Sequence, residues 1–288
     1  MPSVAYRRER RRLAGWLRTL RQEAGFSGNA LAKQLGWAQS KVSKIETAKQ
    51  LPTEDDVRQW AGAVNAPDKT VAELIALLER ARAEYVTFKE QFRAAGGAAA
   101  LQADILALEA QDTRIRKFQP AMVIGLLQTA EYANELMHLP SGPATLGADE
   151  DEIARMVAVR MQRQQVLYDP RKQIQVVLLE AALHTRICSP GTLYGQLDRL
   201  LALLGLPSLE LGIVPFAALV PVYPLTGFSI HDQELVVIET VTGETQISDP
   251  EEIARYERLF DLLRDAASYG DEAAALIRKA MQSLQLDS

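Results

Sequence analysis

The chain has 288 residues, 48 % of them apolar, so its length and composition favour two folded domains over one. A single cysteine, Cys188, excludes an intramolecular disulfide and a zinc cluster built from cysteines, and it favours a reducing cytoplasm. No stretch reaches about 18 uninterrupted apolar residues, so we expect no membrane span. The net charge of −5 is divided unevenly: residues 1–66 carry +6 and the remainder carries −11. This division predicts a basic module that attracts nucleic acid, joined to an acidic body.

The first twelve residues are rich in arginine, and two interpretations of them stay open. In one, the arginines form an arm that follows DNA phosphates or enters a minor groove. In the other, they are the solvated start of the first helix. That helix is predicted over residues 13–23, because apolar residues recur there at helical spacing and Gly25 follows. The arginines are Arg7, Arg8, Arg10, Arg11 and Arg12.

Residues 26–46 contain two short helical patterns on either side of Gly36. Glycine tolerates the backbone angles of a sharp turn, Ser27 is placed to cap the first helix, and Trp37 offers an apolar wedge between the two. The spacing of the apolar residues gives each helix one buried face. These residues are Leu31, Ala32, Leu35, Val42 and Ile45.

The second helix of this pair presents a polar and basic face without acidic residues. Glutamine pairs with adenine, serine with several base edges, and lysine reaches guanine or phosphate. In a helix-turn-helix, the N-terminal residues of the second helix face the bases. A helical hairpin in a larger core is the alternative, with the lysines merely solvated. The predicted DNA-binding residues are Ser27, Gln39, Ser40, Lys41, Ser43 and Lys44.

This segment resembles the Xre (lambda-repressor-like) helix-turn-helix family. Its Leu-Ala-x-x-Leu-Gly core and Ser-x-Ile-Glu end match residues 31–36 and 43–46. The resemblance implies an ion pair between Arg21 on the first helix and Glu46 on the third. It also implies a homodimer that binds double-stranded DNA at half-sites one helical turn apart. The chain departs from the family where Gly28 replaces a common phosphate-contacting glutamine and Ala38 a capping residue.

A fourth helix is predicted after its cap at Thr53, and a longer helical pattern then runs from residue 70 to about residue 93. The long pattern is either a fifth helix extended into a connector or the seam of a dimer. Gly96-Gly97 is the clearest boundary signal. We therefore predict an all-α DNA-binding domain with its connector at residues 1–95, and a regulatory or dimerisation domain at residues 98–288.

The second domain is predicted to be mixed α+β. The short connections between its last strands favour a mainly antiparallel sheet, with helices before it and at the C-terminus. The whole chain is thus multidomain: a five-helix DNA-binding domain with a helix-turn-helix, followed by this α+β domain. Helical patterns cover residues 100–117, 126–138, 150–168, 190–204, 251–268 and 271–285, and strand patterns cover Gln173–Leu179, Leu209–Val214, 227–231, 235–240 and 244–247.

Six short motifs in the second half of the chain carry a second resemblance. They are Gly125-Leu-Leu-Gln-Thr-Ala-Glu-Tyr-Ala133, Arg160-Met-Gln-Arg-Gln164, Glu180-Ala-Ala-Leu183, Gln196-Leu197, Val214-Pro-Phe216 and Gly227-Phe228. They are similar to a C-terminal domain common in actinobacterial Xre-type regulators, including WhiJ-like proteins. The resemblance implies a regulator of development or secondary metabolism, and a partnership with a small acidic protein encoded nearby.

The polar residues of these motifs interrupt apolar patterns, so each needs a hydrogen-bond partner if it is buried. They form either an internal network that holds helix to sheet, or a pocket or partner-docking surface. Gln128, Arg160, Arg163 and Glu180 are the candidates for a ligand or partner site; Thr129 and Gln164 share the pattern.

The chain's three histidines are scattered, and neither a phosphate-binding loop nor a catalytic constellation is evident. We therefore expect no metal, no cofactor and no enzyme. The sequence predicts a cytoplasmic, DNA-binding transcription regulator, acting as a repressor and associated with the nucleoid when bound. The alternative is an antitoxin-like or switch protein whose main role is to bind the small acidic partner.

Overall fold

The computed structural model describes residues 8–220, 222–223 and 226–285. Its first part is a bundle of five helices around one apolar core. Leu17, Leu31, Ile45, Trp60 and Leu74 are almost completely buried there, one from each helix. The helices are α1 (Arg8–Glu23), α2 (Gly28–Leu35), α3 (Gln39–Glu46), α4 (Glu54–Ala63) and α5 (Asp68–Arg82).

Local signals in the sequence fix the ends of these helices. The Ser27 hydroxyl accepts a hydrogen bond from the Ala30 amide at 3.1 Å and caps α2. Gly36 ends α2 with φ +67°, in the left-handed region that glycine adopts without a steric penalty. Thr53 and Asp56 form a reciprocal capping box at the start of α4. These features set α3 at an angle to α2 and leave one side of it facing outward.

The second part is an α+β domain. Its strands are β1 (Ala83–Thr87), β2 (Arg114–Gln119), β3 (Gln173–Leu179), β4 (Leu209–Val214), β5 (Phe228–His231), β6 (Leu235–Glu239) and β7 (Gly243–Ile247). Its α-helices are α6 (Phe88–Ala95), α7 (Ala98–Gln111), α8 (Ala130–Met137), α9 (Glu150–Arg163), α10 (Ala181–His184), α11 (Pro190–Leu203), α12 (Pro250–Asp265) and α13 (Gly270–Gln285). Short 3-10 helices cover Gly125–Leu127, Pro143–Leu146 and Gln164–Tyr168.

The described strands form one seven-stranded mixed sheet, in the order β1-β7-β6-β5-β2-β3-β4. Four of its six described neighbouring pairs are antiparallel, and the β2–β3 and β3–β4 pairs are parallel. The expected fold class is therefore confirmed. One face packs against α12 through Phe260 and Leu263. On the other face, Leu197 of α11 and Ile277 of α13 share a core with β2, β3 and β4, and Leu101 of α7 packs against Val237 of β6.

Two strands stand where the sequence predicted helix. The fifth helix ends at Arg82 instead of continuing to about residue 93, and the next five residues form β1 beside β7. A Cβ added at Gly243 would collide with the backbone of Val86 and Thr87, so glycine permits the close approach of these strands. Tyr85 and Val86 have a high propensity for strands. Pairing with β7 therefore outweighs the helical spacing of the apolar residues in this segment.

The second difference lies at residues 112–117, where the predicted helix is replaced by the start of β2. Helix α7 ends at Gln111, because the buried ammonium of Lys172 donates hydrogen bonds to the carbonyl groups of Glu109, Ala110 and Asp112. Strand β2 then pairs with β3 on one side and β5 on the other. This position in the sheet depends on residues far along the chain.

The two parts of the molecule touch through charged side chains as well as through the chain itself. The buried Arg10 of α1 donates a hydrogen bond to the Glu234 carbonyl at 3.1 Å, in the turn between β5 and β6. Arg82, the last residue of α5, lies 3.5 Å from the carboxylate of Asp249. Because β1 follows α5 without a linker, the helical bundle is fixed directly to the sheet.

Candidate nucleic-acid interface

Helix α3 presents the residues that the sequence predicted to contact DNA. Gln39, Ser40, Ser43 and Lys44 are exposed, whereas Val42 and Ile45 are buried in the core of the helical bundle. Ser27, at the start of α2, is also exposed, and its hydroxyl serves as the cap described above. The exposed side of α3 thus carries amide, hydroxyl and ammonium groups, which match base edges and phosphates.

Lys41 differs from its neighbours on α3, because its ammonium is already engaged. Its Nζ lies 2.5 Å from Oδ1 of Asp56 and 4.0 Å from the centre of the Trp37 ring. The Lys41 side chain is 32 % exposed, whereas that of Asp56 is 9 % exposed. The other oxygen of Asp56 accepts a hydrogen bond from the Thr53 amide at 3.1 Å. Lys41 therefore joins α3 to the start of α4.

Arg21 and Glu46 form a two-pronged ion pair beneath α3. Arg21 Nε lies 2.5 Å from Glu46 Oε1, and Nη2 lies 2.9 Å from Oε2. Arg21 Nη1 also donates to the Phe26 carbonyl at 2.6 Å, in the turn before α2. Both side chains are about nine-tenths buried, and the hydrogen bond with Glu46 raises the pKa of Arg21. The pair ties the first helix to the end of α3 and fixes the inclination of the exposed face.

The arginine-rich start of the chain is helical from Arg8 onward, and one of its arginines is buried. Helix α1 already includes Arg8, and Arg10 is buried against the C-terminal domain through Glu234. Arg12 is exposed and lies 4.0 Å from Glu9. Arg7 lies outside the described residues. From Arg8 onward this segment is therefore part of the first helix, as the second interpretation expected, but Arg10 is buried and not solvated.

The C-terminal domain contains a cavity of about 690 Å³, open to solvent on one side, between the sheet and helices α6, α7, α8 and α9. Phe92, Leu101, Ile105 and Val237 supply part of an apolar wall. Three of the four candidate residues, Gln128, Arg160 and Arg163, also line it.

A buried carboxylate organises the positive charge beside this cavity. Glu109 is fully buried, and its carboxylate accepts hydrogen bonds from Arg163 at 2.9 and 3.0 Å and from Lys117 at 2.8 Å. Burial acts to raise the pKa of Glu109, but the charges of Arg163 and Lys117 outweigh it and hold the pKa well below its usual range. Arg163 also donates to Gln102 at 2.8 Å. The cluster fastens α7 to α9 and β2.

Most of the polar motif residues are satisfied by an internal network. Gln128 accepts from Arg160 Nη1 at 2.8 Å and donates to the Val123 carbonyl at 2.7 Å. Gln164 Nε2 donates to the Gln128 carbonyl at 2.5 Å, and the Thr129 hydroxyl caps α8. Glu180 lies apart from this network. It accepts from the Phe216 amide at 2.7 Å, and it is not among the residues that line the cavity.

One constellation at the cavity wall was missed by the sequence analysis. His231 Nδ1 lies 2.6 Å from Asp112 Oδ2, and its Nε2 lies 2.9 Å from the Ser229 hydroxyl. Ser229 and His231 are two residues apart on β5 and so point to the same face of the sheet. Asp112 comes from a distant part of the chain. The only signal for this constellation in the sequence was therefore the two-residue spacing of Ser229 and His231 within a predicted strand.

Neither a membrane-spanning helix nor a metal centre emerges from the described residues. No described helix is long and apolar enough to cross a membrane. Within the same residues, no group of three or more His, Cys, Asp or Glu side chains is arranged to hold a metal ion.

Two helices joined by a glycine turn, with the polar side of the second facing outward, define a helix-turn-helix protein. Residues 12–74 match a family described as a helix-turn-helix domain, which makes this part a DNA-binding module. Residues 102–279, more than half of the chain, match the family described as Domain of unknown function (DUF5753). The chain belongs to the DUF5753 family. No protein with a curated description matches it.

Proposed function

We propose that this protein is a sequence-specific transcription regulator of the Xre type, with a WhiJ-like C-terminal domain. It acts as a repressor in development or secondary metabolism, in the cytoplasm and bound to the nucleoid. The helix-turn-helix module reads the operator, and the C-terminal domain controls that binding. The observation that carries this proposal is the exposed side of α3, where Gln39, Ser40, Ser43 and Lys44 face solvent above a buried apolar skeleton.

Each exposed group on α3 has a distinct role in this proposal. Gln39 and Ser40 stand in the first turn of the helix, the part that reaches base edges in a helix-turn-helix. Lys44 lies one turn further on and neutralises a phosphate. Ser27 stands at the N-terminus of α2, where exposed backbone amides attract a phosphate.

The test begins with selection of bound duplexes from a random pool, because the operator is defined by this step. Affinity for the selected duplex is then measured against salt concentration. Lys44→Ala should weaken binding to all sequences and lower the salt slope by about 1. Gln39→Ala should instead change which base is preferred at one position of each half-site.

Lys279→Ala is the matched control, since Lys279 is exposed on α13 in the C-terminal domain. It should leave both affinity and slope unchanged. If Gln39→Ala and Lys44→Ala behave like this control at low salt, α3 is not the recognition helix and the proposal fails.

The proposed regulator acts as a homodimer on paired half-sites, and its C-terminal domain also binds the small acidic partner. The segment between β4 and β5 supports an interaction surface, because Phe216, Leu219 and Tyr223 are 68, 90 and 86 % exposed. Large apolar side chains that are exposed within one short segment are typical of protein contact sites. Light scattering of the purified chain tests the dimer, and co-purification from the native host at mild salt tests the partner. A monomer in light scattering, or the absence of a stoichiometric partner in the co-purification, would refute the corresponding part.

A further inference from the structure

The cavity in the C-terminal domain has the size of a small-molecule site. At about 690 Å³ it falls within the range of 300–1,000 Å³ that such sites occupy. Its walls come from strands β2, β5, β6 and β7 and from helices α6 to α9. Phe88 and Phe92 of α6, together with Ile105 and Leu108 of α7, give it an extended apolar side.

The polar end of the cavity holds more positive charge than its nearest carboxylate neutralises. Glu109 is shared between Arg163 and Lys117, so its single negative charge is already taken. Arg160 contributes a third positive charge and has no carboxylate oxygen within 4.0 Å among the described residues. Its only hydrogen bond to those residues runs from Nη1 to Gln128, and its Nε is buried without a partner. The guanidinium is thus held in place but lacks a counter-ion.

Other acids of the cavity wall do not supply this counter-ion directly. Glu239 is exposed on β6, and it favours the charged form of Arg160 from a distance greater than that of an ion pair. Glu244 on β7 is buried and accepts a hydrogen bond from Gln246 at 2.7 Å. Burial, followed by repulsion from Arg163, lowers the pKa of Arg160 to about 10, so the guanidinium remains charged at neutral pH.

We propose that this cavity binds a small molecule with an apolar body and one carboxylate, which pairs with Arg160. A planar carboxylate meets a guanidinium through two parallel hydrogen bonds, and the apolar body displaces water from the helical wall. Ser229, whose hydroxyl is fixed by His231, offers a second polar contact on the sheet. The single unpaired cation selects one negative charge, whereas a phosphate dianion would need further donors. This binding site does not rest on the DNA-binding role.

Three probes with the same ten-carbon chain separate the head group from the tail: decanoate, decanol and decylamine. Calorimetric titration of the full chain, without DNA and below the micellar concentration, should show decanoate binding at least tenfold more tightly than either of the others. Arg160→Gln should reduce decanoate affinity to that of decanol and leave decanol binding unchanged. Arg155→Gln is the control, because Arg155 is exposed on the same helix.

Leu101→Trp supplies an independent test, since it fills the apolar side and should abolish binding of both decanoate and decanol. Circular dichroism and retained decanol binding show that Arg160→Gln is folded. If that variant does not fold, two results still test the proposed site: the preference for decanoate over decylamine, and the loss of binding in Leu101→Trp. Equal affinity for decanoate and decylamine, no binding of decanoate, or full decanoate binding by Leu101→Trp would overturn the proposal. Because no DNA is present, these outcomes are separate from failure of the regulator assignment.

Discussion

Lys41 on the exposed helix α3 is paired with Asp56 of α4, at 2.5 Å between Nζ and Oδ1. Asp56 also caps α4, so one carboxylate serves the helix end and the lysine together. The pair makes Lys41 part of the architecture that orients α3. Lys44, on the same helix, is exposed and has the freedom to reach a phosphate.

This difference predicts unequal effects of the two lysines. Lys44→Ala should lower the salt slope of DNA binding by about 1, whereas Lys41→Ala should lower it by clearly less. Lys41→Ala should instead reduce the unfolding free energy by up to about 1 kcal/mol, because the pair is partly exposed. Salt-dependent titrations and urea unfolding measure the two quantities. Equal slopes for the two variants would show that Lys41 leaves Asp56 to bind DNA.

The buried pair of Arg21 and Glu46 predicts a larger loss of stability. Glu46→Ala leaves the guanidinium of Arg21 without its carboxylate and should cost about 3 kcal/mol. All three tryptophans lie in the first sixty residues, so tryptophan fluorescence during urea unfolding reports on this domain. Glu54→Ala breaks the exposed pair with Arg58 and serves as the control, with a loss of about 0–1 kcal/mol. Equal losses would mean that the buried pair contributes no more than a surface one.

The depressed pKa of Glu109 predicts a specific dependence on pH. A carboxylate whose folded pKa lies below its unfolded value contributes stability that is complete above about pH 4.3 and is lost as the pH falls towards the folded pKa. Glu109→Gln leaves Arg163 and Lys117 without their carboxylate and should cost about 3–5 kcal/mol at pH 7.

The difference between the wild type and Glu109→Gln should stay constant above about pH 5 and shrink in more acidic solution. Far-UV circular dichroism during urea unfolding at several pH values measures it. Glu131→Gln is the control, because Glu131 is exposed on α8. A difference that grows on acidification would contradict the role assigned to Glu109.

The contact between Arg10 and the Glu234 carbonyl predicts local protection at the junction of the two parts. Arg10→Ala removes a hydrogen bond from a charged, buried donor, which corresponds to about a tenfold change in the local opening equilibrium. Hydrogen exchange of amides in the turn between β5 and β6 should accelerate by that factor. Arg18→Ala, at an exposed position of the same helix, should leave this turn unchanged. Unaltered exchange in both variants would show that the contact contributes nothing to the junction.

Sequence patterns were sufficient for the helical domain, because its signals are local. The glycine after α2, the cap at Ser27 and the spacing of Leu31 and Ile45 depend on neighbours within a few residues. Strands β3 and β4 also stand where alternation and apolar runs predicted them. These elements need little information from the rest of the chain.

Strands β1 and β2 could not be predicted in this way, because their conformation is decided by distant partners. The outermost strand exists because β7 offers it an edge, and Gly243 allows the approach. Strand β2 begins where Lys172, sixty residues later, closes the preceding helix. Helical spacing was present throughout residues 83–93, but tertiary pairing outweighed it only over residues 83–87, and residues 88–93 are helical in α6.

The candidate sites also contain some features that local sequence patterns predicted and others that only the fold brings together. The exposed side of α3 followed from its residue types, whereas the engagement of Lys41 needed the position of Asp56 on another helix. Gln128, Arg160 and Arg163 lie together at the cavity, but Glu180 does not, since sequence motifs do not specify which side of a sheet each residue meets. His231 and Asp112 are 119 positions apart, and only the fold brings them together.

The placement of β1 has a practical consequence for anyone who divides this protein. A cut between residues 95 and 98, the boundary predicted from the sequence, would remove β1 from β7 along its whole length, and the remaining C-terminal body would expose an unpaired strand edge prone to self-association. A fragment that keeps residues 83–87 would carry a strand without a sheet. The helix-turn-helix module and the C-terminal domain are therefore better studied together in the intact chain.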